Sequence, residues 1–129
     1  MIPRPVADLL VTLAEPTRLR IVHCLSTAPL FVSDLAAILE LPNDTVAEHV
    51  DVLETLGIVR AYPVVPYLLY TLAPQPGARE RLLRSVLDAV RSDPAAAGDR
   101  AAALARSRSR FETRVRGIGG GSGAVMNAS

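Results

Sequence analysis

The sequence predicts a mainly α-helical domain of the α+β class, in which one β-hairpin lies between the fourth helix and the fifth. Two observations indicate this class. Apolar residues recur at three- and four-residue spacing in five segments and more thinly in a sixth, which is the pattern of helices with one buried face. Two short runs of β-forming residues, bounded by prolines, follow the fourth segment. Half of the 129 residues are hydrophobic and only five are aromatic, so we expect one domain with an aliphatic core.

Four helices are predicted in the N-terminal half of the chain. Pro16 suits the first turn of the second helix because its fixed φ angle fits a helix start. Ser33 is a candidate N-cap for the third helix because its hydroxyl can accept a hydrogen bond from a free backbone N–H group. The predicted helices cover residues 5–14, 17–27, 33–40 and 43–56.

The fourth helix has two chemically distinct faces. Asn43 or Asp44 is the expected N-cap, since Pro42 has no side chain that can cap, and Gly57 is well placed to end the helix. Helical spacing brings apolar side chains to one face and mainly acidic side chains to the other. The apolar face consists of Val46, Val50 and Leu53, and the opposite face consists of Asp44, Glu48, Asp51 and Thr55.

The two β-forming runs are predicted to pair as a hairpin. Residues 58–62 and 67–72 are joined by a Pro-Val-Val-Pro sequence, and beyond Arg60 the hairpin carries no charged residue. Its apolar side chains either pack locally or form an exposed patch that binds a partner or ligand. A fifth helix follows over residues 77–91.

Charge is divided unevenly along the chain. Residues 1–76 hold four arginines and eight acids, for a net charge of −4, whereas residues 77–129 hold ten arginines and five acids, for a net charge of +5. Such an asymmetry suggests a basic arm with an anionic partner. We therefore divide the chain into a main domain (1–92), a basic C-terminal extension (93–116) and a Gly/Ser-rich tail (117–129) that is expected to be disordered.

Within the extension, residues 99–116 fit a sixth helix capped by Asp99. Arginines recur there every four residues, roughly opposite a thin apolar stripe. Three interpretations stay open: the arginines contact DNA phosphates, they lie across the acidic fourth helix of their own or a partner subunit, or they form a solvated face. The arginines are Arg106, Arg110 and Arg114, and the stripe includes Leu104, Phe111 and Val115.

The predicted order of elements is that of a winged helix-turn-helix domain, and four segments resemble the arsenical-resistance-repressor (ArsR/SmtB-type) family of transcriptional regulators. They are LAEPTRLRIVHCL (13–25), SDLAAILEL (33–41), TVAEHVDVLETLGIV (45–59) and YTL (70–72). The resemblance implies a homodimer formed by the first and fifth helices, which binds palindromic operator DNA and is released by a ligand or metal. The implied dimer residues are Leu9, Leu10, Leu13, Leu83, Val86, Leu87 and Val90.

The resemblance also implies that the fourth helix meets the major groove. The candidate DNA-binding residues are Asn43, Thr45, Ala47, Glu48, His49, Asp51 and Arg60, together with Arg106, Arg110 and Arg114. Glu48 and Asp51 depart from the family, whose members usually carry small polar or basic residues there. Carboxylates oppose the phosphate contacts that supply most of the affinity for DNA, although they can accept hydrogen bonds from cytosine amino groups. These residues therefore form a solvated face, contact DNA with their charge offset by the C-terminal arginines, or serve a partner other than DNA. His49 fits either a DNA contact or packing at the helix interface.

No metal, cofactor or catalytic site is predicted. Phe31 and Ser33 stand where metal-sensing relatives carry cysteines, and serine is a poor ligand for soft metals. The two histidines, His23 and His49, lie on different helices. The single cysteine, Cys24, is expected to be a small buried side chain. No residue spacing marks a nucleophile with its base, so the chain is not expected to be an enzyme.

These observations give one main hypothesis and one alternative. The main hypothesis is a cytoplasmic, homodimeric, DNA-binding ArsR-like repressor that does not respond to metal and is controlled by a small organic ligand or a protein. The sequence shows no signal peptide or membrane span, which fits that location. The alternative is a winged-helix protein-interaction module that has lost specific DNA binding because its fourth helix is acidic.

Overall fold

The computed structural model describes the backbone of residues 4–119 and the side chains of residues 4–110. It confirms the predicted mainly α-helical, winged helix-turn-helix architecture, and a short 3₁₀ turn (Pro94–Ala96) precedes the last helix. The elements are α1 (Arg4–Leu13), α2 (Pro16–Thr27), β1 (Leu30–Phe31), α3 (Val32–Leu39), α4 (Asn43–Thr55), β2 (Val59–Val64), β3 (Tyr67–Leu72), α5 (Gly77–Arg91) and α6 (Ala97–Gly119).

The hairpin belongs to a three-stranded antiparallel sheet with the strand order β1-β3-β2. The sequence did not predict β1, which has only two residues and pairs Leu30 with Tyr70. Strand β2 extends beyond the predicted end because Pro63 pairs with Leu68, and a proline is tolerated on an edge strand, where no partner strand needs its missing N–H group. The turn that follows contains a cis Val65-Pro66 peptide bond.

The core is aliphatic, as predicted. Tyr70 is the one aromatic residue in the buried cluster of the described part of the chain. Helices α2 and α3 pack there against both α4 and the sheet, and α1 packs against α2 and α5. The largest fully buried hydrophobic residues are Leu9, Ile21, Leu30, Leu35, Leu53 and Ile58.

The predicted start of α2 is correct, whereas the predicted N-cap of α3 is wrong. Pro16 is the first residue of α2, as predicted, and the Glu15 carboxylate accepts a hydrogen bond of 2.9 Å from the backbone N–H of Arg18. Ser33 is not an N-cap, because α3 already begins at Val32. Instead the carboxylate of Asp34 accepts a hydrogen bond of 2.9 Å from the backbone N–H of Phe31.

The ends of α4 are also partly as predicted. Gly57 has a φ of +75° immediately after the helix, a left-handed conformation that favours glycine. The prediction of an N-cap from Asn43 or Asp44 was wrong, because Asn43 is already helical and Pro42 occupies the cap position without a side-chain hydrogen bond. Likewise α6 begins at Ala97, so Asp99 lies inside its first turn and is not the predicted cap.

Helix α6 packs with an unexpected face toward the body of the protein. Ala103 is fully buried in the core, whereas Leu104, which was assigned to the inner stripe, is 41% exposed. The side chains of Phe111, Arg114 and Val115 lie outside the described residues. Residues 117–119 are helical and residues 120–129 lie outside the described part, so the division of the chain at residue 93 and the disordered tail stay predictions.

The helices were also compared with the requirements of a membrane span. Within residues 4–119, none combines the necessary length with a sufficiently apolar composition.

The buried face of α4 gives a direct test of this packing. Leu53 is fully buried and its neighbour Val52 is 39% exposed. We expect Leu53→Ala to lower the free energy of unfolding by about 2–5 kcal/mol, because it removes buried methyl groups and leaves a cavity. Val52→Ala should change it by less than about 1 kcal/mol. Urea unfolding followed by circular dichroism measures both, and equal effects would contradict this orientation of α4.

Candidate nucleic-acid interface

The buried side of α4 determines which side of the helix faces solvent. Val46, Val50 and Leu53 are each fully buried, as predicted, and α4 packs against α2, α3 and β2. The opposite side of the helix therefore faces solvent. Of the candidate DNA-binding residues on α4, Asn43, Glu48 and Asp51 are exposed and Thr45, Ala47 and His49 are half-buried.

The carboxylates on and beside α4 form an acidic surface that no described side chain neutralises. None of its carboxylates forms an ion pair with a side chain in the described range 4–110. All of them are exposed, so their negative charges face solvent. The carboxylates belong to Glu40, Asp44, Glu48, Asp51 and Glu54.

The tip of the hairpin, which is the wing of the fold, exposes apolar side chains. Val65 is 89% exposed and Tyr67 is 67% exposed, whereas Tyr70 is buried in the core. Of the two interpretations of this segment, the structure supports an exposed apolar patch at the tip. Arg60, the one cation of the hairpin, lies with its guanidinium carbon 5.4 Å from the centre of the Tyr62 ring.

Two arginines of α6 converge on one carboxylate of α3. The Nε of Arg106 lies 2.8 Å from Oδ1 of Asp34, and Nη1 of Arg110 lies 2.8 Å from Oδ2 of the same residue. Arg110 also donates to the backbone oxygen of Pro29 at 3.0 Å, and its guanidinium carbon lies 4.9 Å from the centre of the Phe31 ring. We call these contacts the Asp34 clamp.

The contacts of the clamp lower the pKa of Asp34. The Asp34 side chain is 8% exposed, and this burial alone would raise its pKa. The hydrogen bonds from Arg106, from the Phe31 N–H group and from Arg110, together with the charge of Arg110, outweigh burial, so the pKa of Asp34 lies below its usual value. The carboxylate is therefore ionised at neutral pH and holds both guanidinium groups.

The clamp bears on the interpretations left open for Arg106, Arg110 and Arg114. Within the described chain, Arg106 and Arg110 lie against α3, so they do not cover the acidic face of their own α4. Sequence reasoning missed Asp34 as their partner, although it is the one acid of α3, in a mainly apolar segment. The side chain of Arg114 lies outside the described residues.

A second ion pair joins the start of α6 to α2. The guanidinium of Arg20 donates to both carboxylate oxygens of Asp99, at 2.8 and 3.0 Å. The pair is bidentate, with two hydrogen bonds between one guanidinium and one carboxylate, a geometry that favours arginine. Together with the Asp34 clamp, it attaches α6 to the helix-turn-helix core at two points.

The predicted dimer residues fall into two groups. Leu9, Leu13, Leu83 and Leu87 are buried in the core of a single chain. In contrast, Leu10 on α1 is 47% exposed, and Val86 and Val90 on α5 are half-buried. Only this second group retains apolar surface that a second subunit can cover.

The remaining candidate groups for metal or redox chemistry are buried or dispersed. Cys24 is fully buried, as predicted, and its burial raises the pKa of the thiol to about 12. Among the residues that the structure describes, no three His, Cys, Asp or Glu side chains lie together in a way that could hold a metal ion.

Comparison with known proteins defines the class. Residues 13–61 match the model of a helix-turn-helix domain, a segment that extends from the end of α1 into β2. The match confirms a helix-turn-helix domain, and the fold resembles that of solved ArsR-like transcriptional regulators. A search of curated proteins found no match.

Among solved structures, the transcriptional repressor BigR from Xylella fastidiosa is 26% identical over 64% of this chain and 80% of its own, with a TM-score of 0.55. HlyU from Vibrio cholerae N16961 is 24% identical over 64% of this chain and 87% of its own, with a TM-score of 0.57. An ArsR-like transcriptional regulator from Rhodococcus sp. RHA1 is 20% identical over 88% of this chain and 92% of its own, with a TM-score of 0.52. The last alignment must include part of the segment that follows Pro94.

The Asp34 clamp yields a stability prediction. Asp34→Asn keeps an oxygen for the Phe31 N–H group but removes the charge that holds Arg106 and Arg110. We expect a loss of about 1–3 kcal/mol in the free energy of unfolding at pH 7, less than for a wholly buried pair because the arginines are partly exposed. The exposed Asp44→Asn change should cost less than about 0.5 kcal/mol.

The pH dependence gives a second readout of the same clamp. Because the pKa of folded Asp34 is lowered, its ionised form stabilises the fold above the unfolded pKa, and this contribution is lost as the pH falls through the folded value. The difference between wild type and Asp34→Asn should therefore shrink below about pH 4. Urea titrations at several pH values measure it, and a constant difference would contradict the clamp.

Proposed function

We propose that the chain is a homodimeric, DNA-binding transcriptional regulator of the ArsR-like repressor type, which works in the cytoplasm without a metal. Its proposed partner is double-stranded operator DNA. One observation carries the proposal: the complete burial of the inner face of α4 directs its outer face, beside the exposed wing, into solvent. The match of residues 13–61 to a helix-turn-helix domain supports the same conclusion.

The start of α4 is the proposed site of groove contact. No side chain caps its first turn, so backbone N–H groups there are able to bind a phosphate oxygen. Asn43 and Thr45 have polar side chains near that turn, with Ala47 and His49 one turn further along. The carboxylates of Glu48 and Asp51 can accept hydrogen bonds from cytosine amino groups. These two residues would therefore add base selectivity while lowering the affinity that phosphates provide.

Phosphate contacts must then come from arginines outside α4. Arg60 at the base of the wing is exposed and forms no ion pair with a described side chain. The Arg106 side chain is 45% exposed in the Asp34 clamp, so one face of it stays available to a phosphate, whereas the Arg110 side chain is 22% exposed. We retain both, together with Arg114, as proposed DNA contacts.

The proposed dimer uses α1 and α5. Leu10, Val86 and Val90 supply the uncovered apolar surface on these helices. The four buried leucines of the same helices, Leu9, Leu13, Leu83 and Leu87, belong to the core. A dimer would place two copies of α4 on one side, as a palindromic operator requires. Control by a small organic ligand or by a protein completes the proposal.

A protein-interaction module is the second candidate function. It is favoured by the uncompensated carboxylates of α4 together with the apolar tip of the wing, where Val65 and Tyr67 are largely exposed. A partner for this surface would present basic side chains around an apolar centre. On this alternative the helix-turn-helix fold is kept but specific DNA binding is lost.

A salt series separates the two functions. With DNA from the region upstream of its own gene, fluorescence anisotropy should show a specific complex whose affinity falls steeply with salt, because counterions are released from neutralised phosphates. The absence of any complex at low salt, without competitor DNA, would rule out the regulator and favour the interaction module.

A matched pair of double variants tests whether α4 meets DNA. Glu48→Gln combined with Asp51→Asn removes two negative charges from the outer face of α4 and should raise affinity for non-specific DNA about tenfold or more at low salt, because less charge repels the phosphates. Glu80→Gln combined with Asp88→Asn removes the same charge from α5 and serves as the control. Equal gains in affinity for the two double variants would show that only net charge matters.

A further inference from the structure

A cavity of about 470 Å³ lies where α2, α5, the 3₁₀ turn and the start of α6 meet. This volume falls within the range of sites for small organic molecules. Most of the lining is apolar and comes from small or aliphatic side chains on three elements. The apolar residues are Leu19, Ala89, Val90, Ala95 and Ala96.

His23 is the deepest residue of the lining. It is 1% exposed, and every other residue that lines the cavity is half-buried or exposed. Its Nε2 atom is buried and has no hydrogen-bond partner among the described residues. A buried polar atom without a partner costs about 1–3 kcal/mol. Nε2 itself has almost no accessible surface, so a ligand gains that free energy only if a shift of neighbouring side chains lets its polar group reach the atom.

The charge of the lining indicates which ligands fit. Burial lowers the pKa of His23, so its ring is neutral at pH 7 and offers one donor and one acceptor nitrogen. At the rim, Arg20 is already bound to Asp99 through two hydrogen bonds, and Asp93 accepts from the Ala95 N–H group at 3.0 Å. Among the residues that line the cavity, Arg20 is the one arginine and its guanidinium is already paired, while the charges of Arg100 and Arg91 act on His23 from outside the lining. The cavity is therefore suited to an uncharged molecule.

We infer that this cavity binds a small, neutral, mainly apolar molecule with one hydrogen-bonding group directed at His23. The inference deepens the ligand control of the proposed function by naming a place and a chemical class. Its position also connects the three parts that such control has to link. The walls come from α2 of the helix-turn-helix core, from the proposed dimer helix α5, and from α6, whose Arg106 and Arg110 bind Asp34 of α3.

The test uses 4-fluorophenol as the probe, followed by ¹⁹F NMR on the full chain without DNA. We expect saturable binding to the wild type. His23→Leu should weaken it about tenfold, since one buried hydrogen bond is lost, and Ala89→Phe should abolish it by filling the cavity from an exposed position on α5. His49→Leu, which changes the other histidine, should leave binding unchanged. Fluorobenzene, which lacks the hydroxyl group, should bind the wild type and His23→Leu equally.

Three results would overturn the inference. The first is the absence of saturable binding to the folded wild type, or binding that neither His23→Leu nor Ala89→Phe alters. The second is tighter binding of 4-fluorobenzoate than of 4-fluorophenol, which would show that the site takes anions. The third is an affinity that falls as protein concentration rises, which would show that the partner subunit fills the cavity. Ala89→Phe keeps the test decisive if His23→Leu does not fold.

The measurement also keeps this inference separate from the proposed function. Because the NMR samples contain no DNA, a negative result there rejects the ligand site alone. A chain that binds 4-fluorophenol through His23 but forms no DNA complex in the salt series would retain the site and lose the proposed regulator.

Discussion

The pairing of one buried carboxylate with two arginines is the interaction on which the rest of the structure depends. Asp34 lies at the start of α3, accepts from the Phe31 backbone there, and draws Arg106 and Arg110 of α6 toward it. A buried charge without partners is costly, so the two arginines of α6 stabilise the position of Asp34 at the start of α3. Through Phe31, which contacts both Arg110 and Tyr67, the same cluster reaches the wing.

This arrangement explains why the surface of α4 stays acidic although the chain carries a net charge of +1. Of the C-terminal arginines whose side chains the structure describes, Arg106 and Arg110 bind Asp34 of α3, and none forms an ion pair with a carboxylate of α4. The outer face of α4 therefore stays negative, and the wing tip stays apolar and exposed. Any DNA complex has to obtain its favourable electrostatics from positions flanking α4, and Arg60 is the nearest such position along the chain.

The helices and the hairpin could be predicted because their signals are local. The spacing of Val46, Val50 and Leu53 identifies the buried face of α4, and Gly57 marks its end, without any knowledge of the rest of the chain. Strand β1 could not be predicted, since two residues carry no periodicity and depend on pairing with β3. The capping roles of Ser33, Asp44 and Asp99 were wrong because cap preferences are weak compared with the tertiary contacts that set each helix start.

The orientation of α6, which forms the Asp34 clamp, likewise could not be predicted from local sequence. Apolar spacing placed Leu104 on the apolar stripe, yet Ala103 is the buried residue, and Arg106 and Arg110 lie against Asp34 of α3. A thin apolar stripe supplies little free energy from burial, and the distant carboxylate of Asp34 outweighs it. No pattern within residues 99–116 contains that information. The His23 cavity was missed for a similar reason, because its walls come from four separate elements.

The two sites at which α6 forms ion pairs have opposite polarity, and this restricts how the helix can align with its neighbours. Near its start, α6 contributes a carboxylate, Asp99, to an arginine of α2, while about two turns later it contributes an arginine, Arg106, to a carboxylate of α3. A slide of the helix by one turn would separate both pairs at once, and an inverted helix would bring like charges together. The alternating signs therefore select one register and one direction for a helix whose weak hydrophobic stripe would permit several.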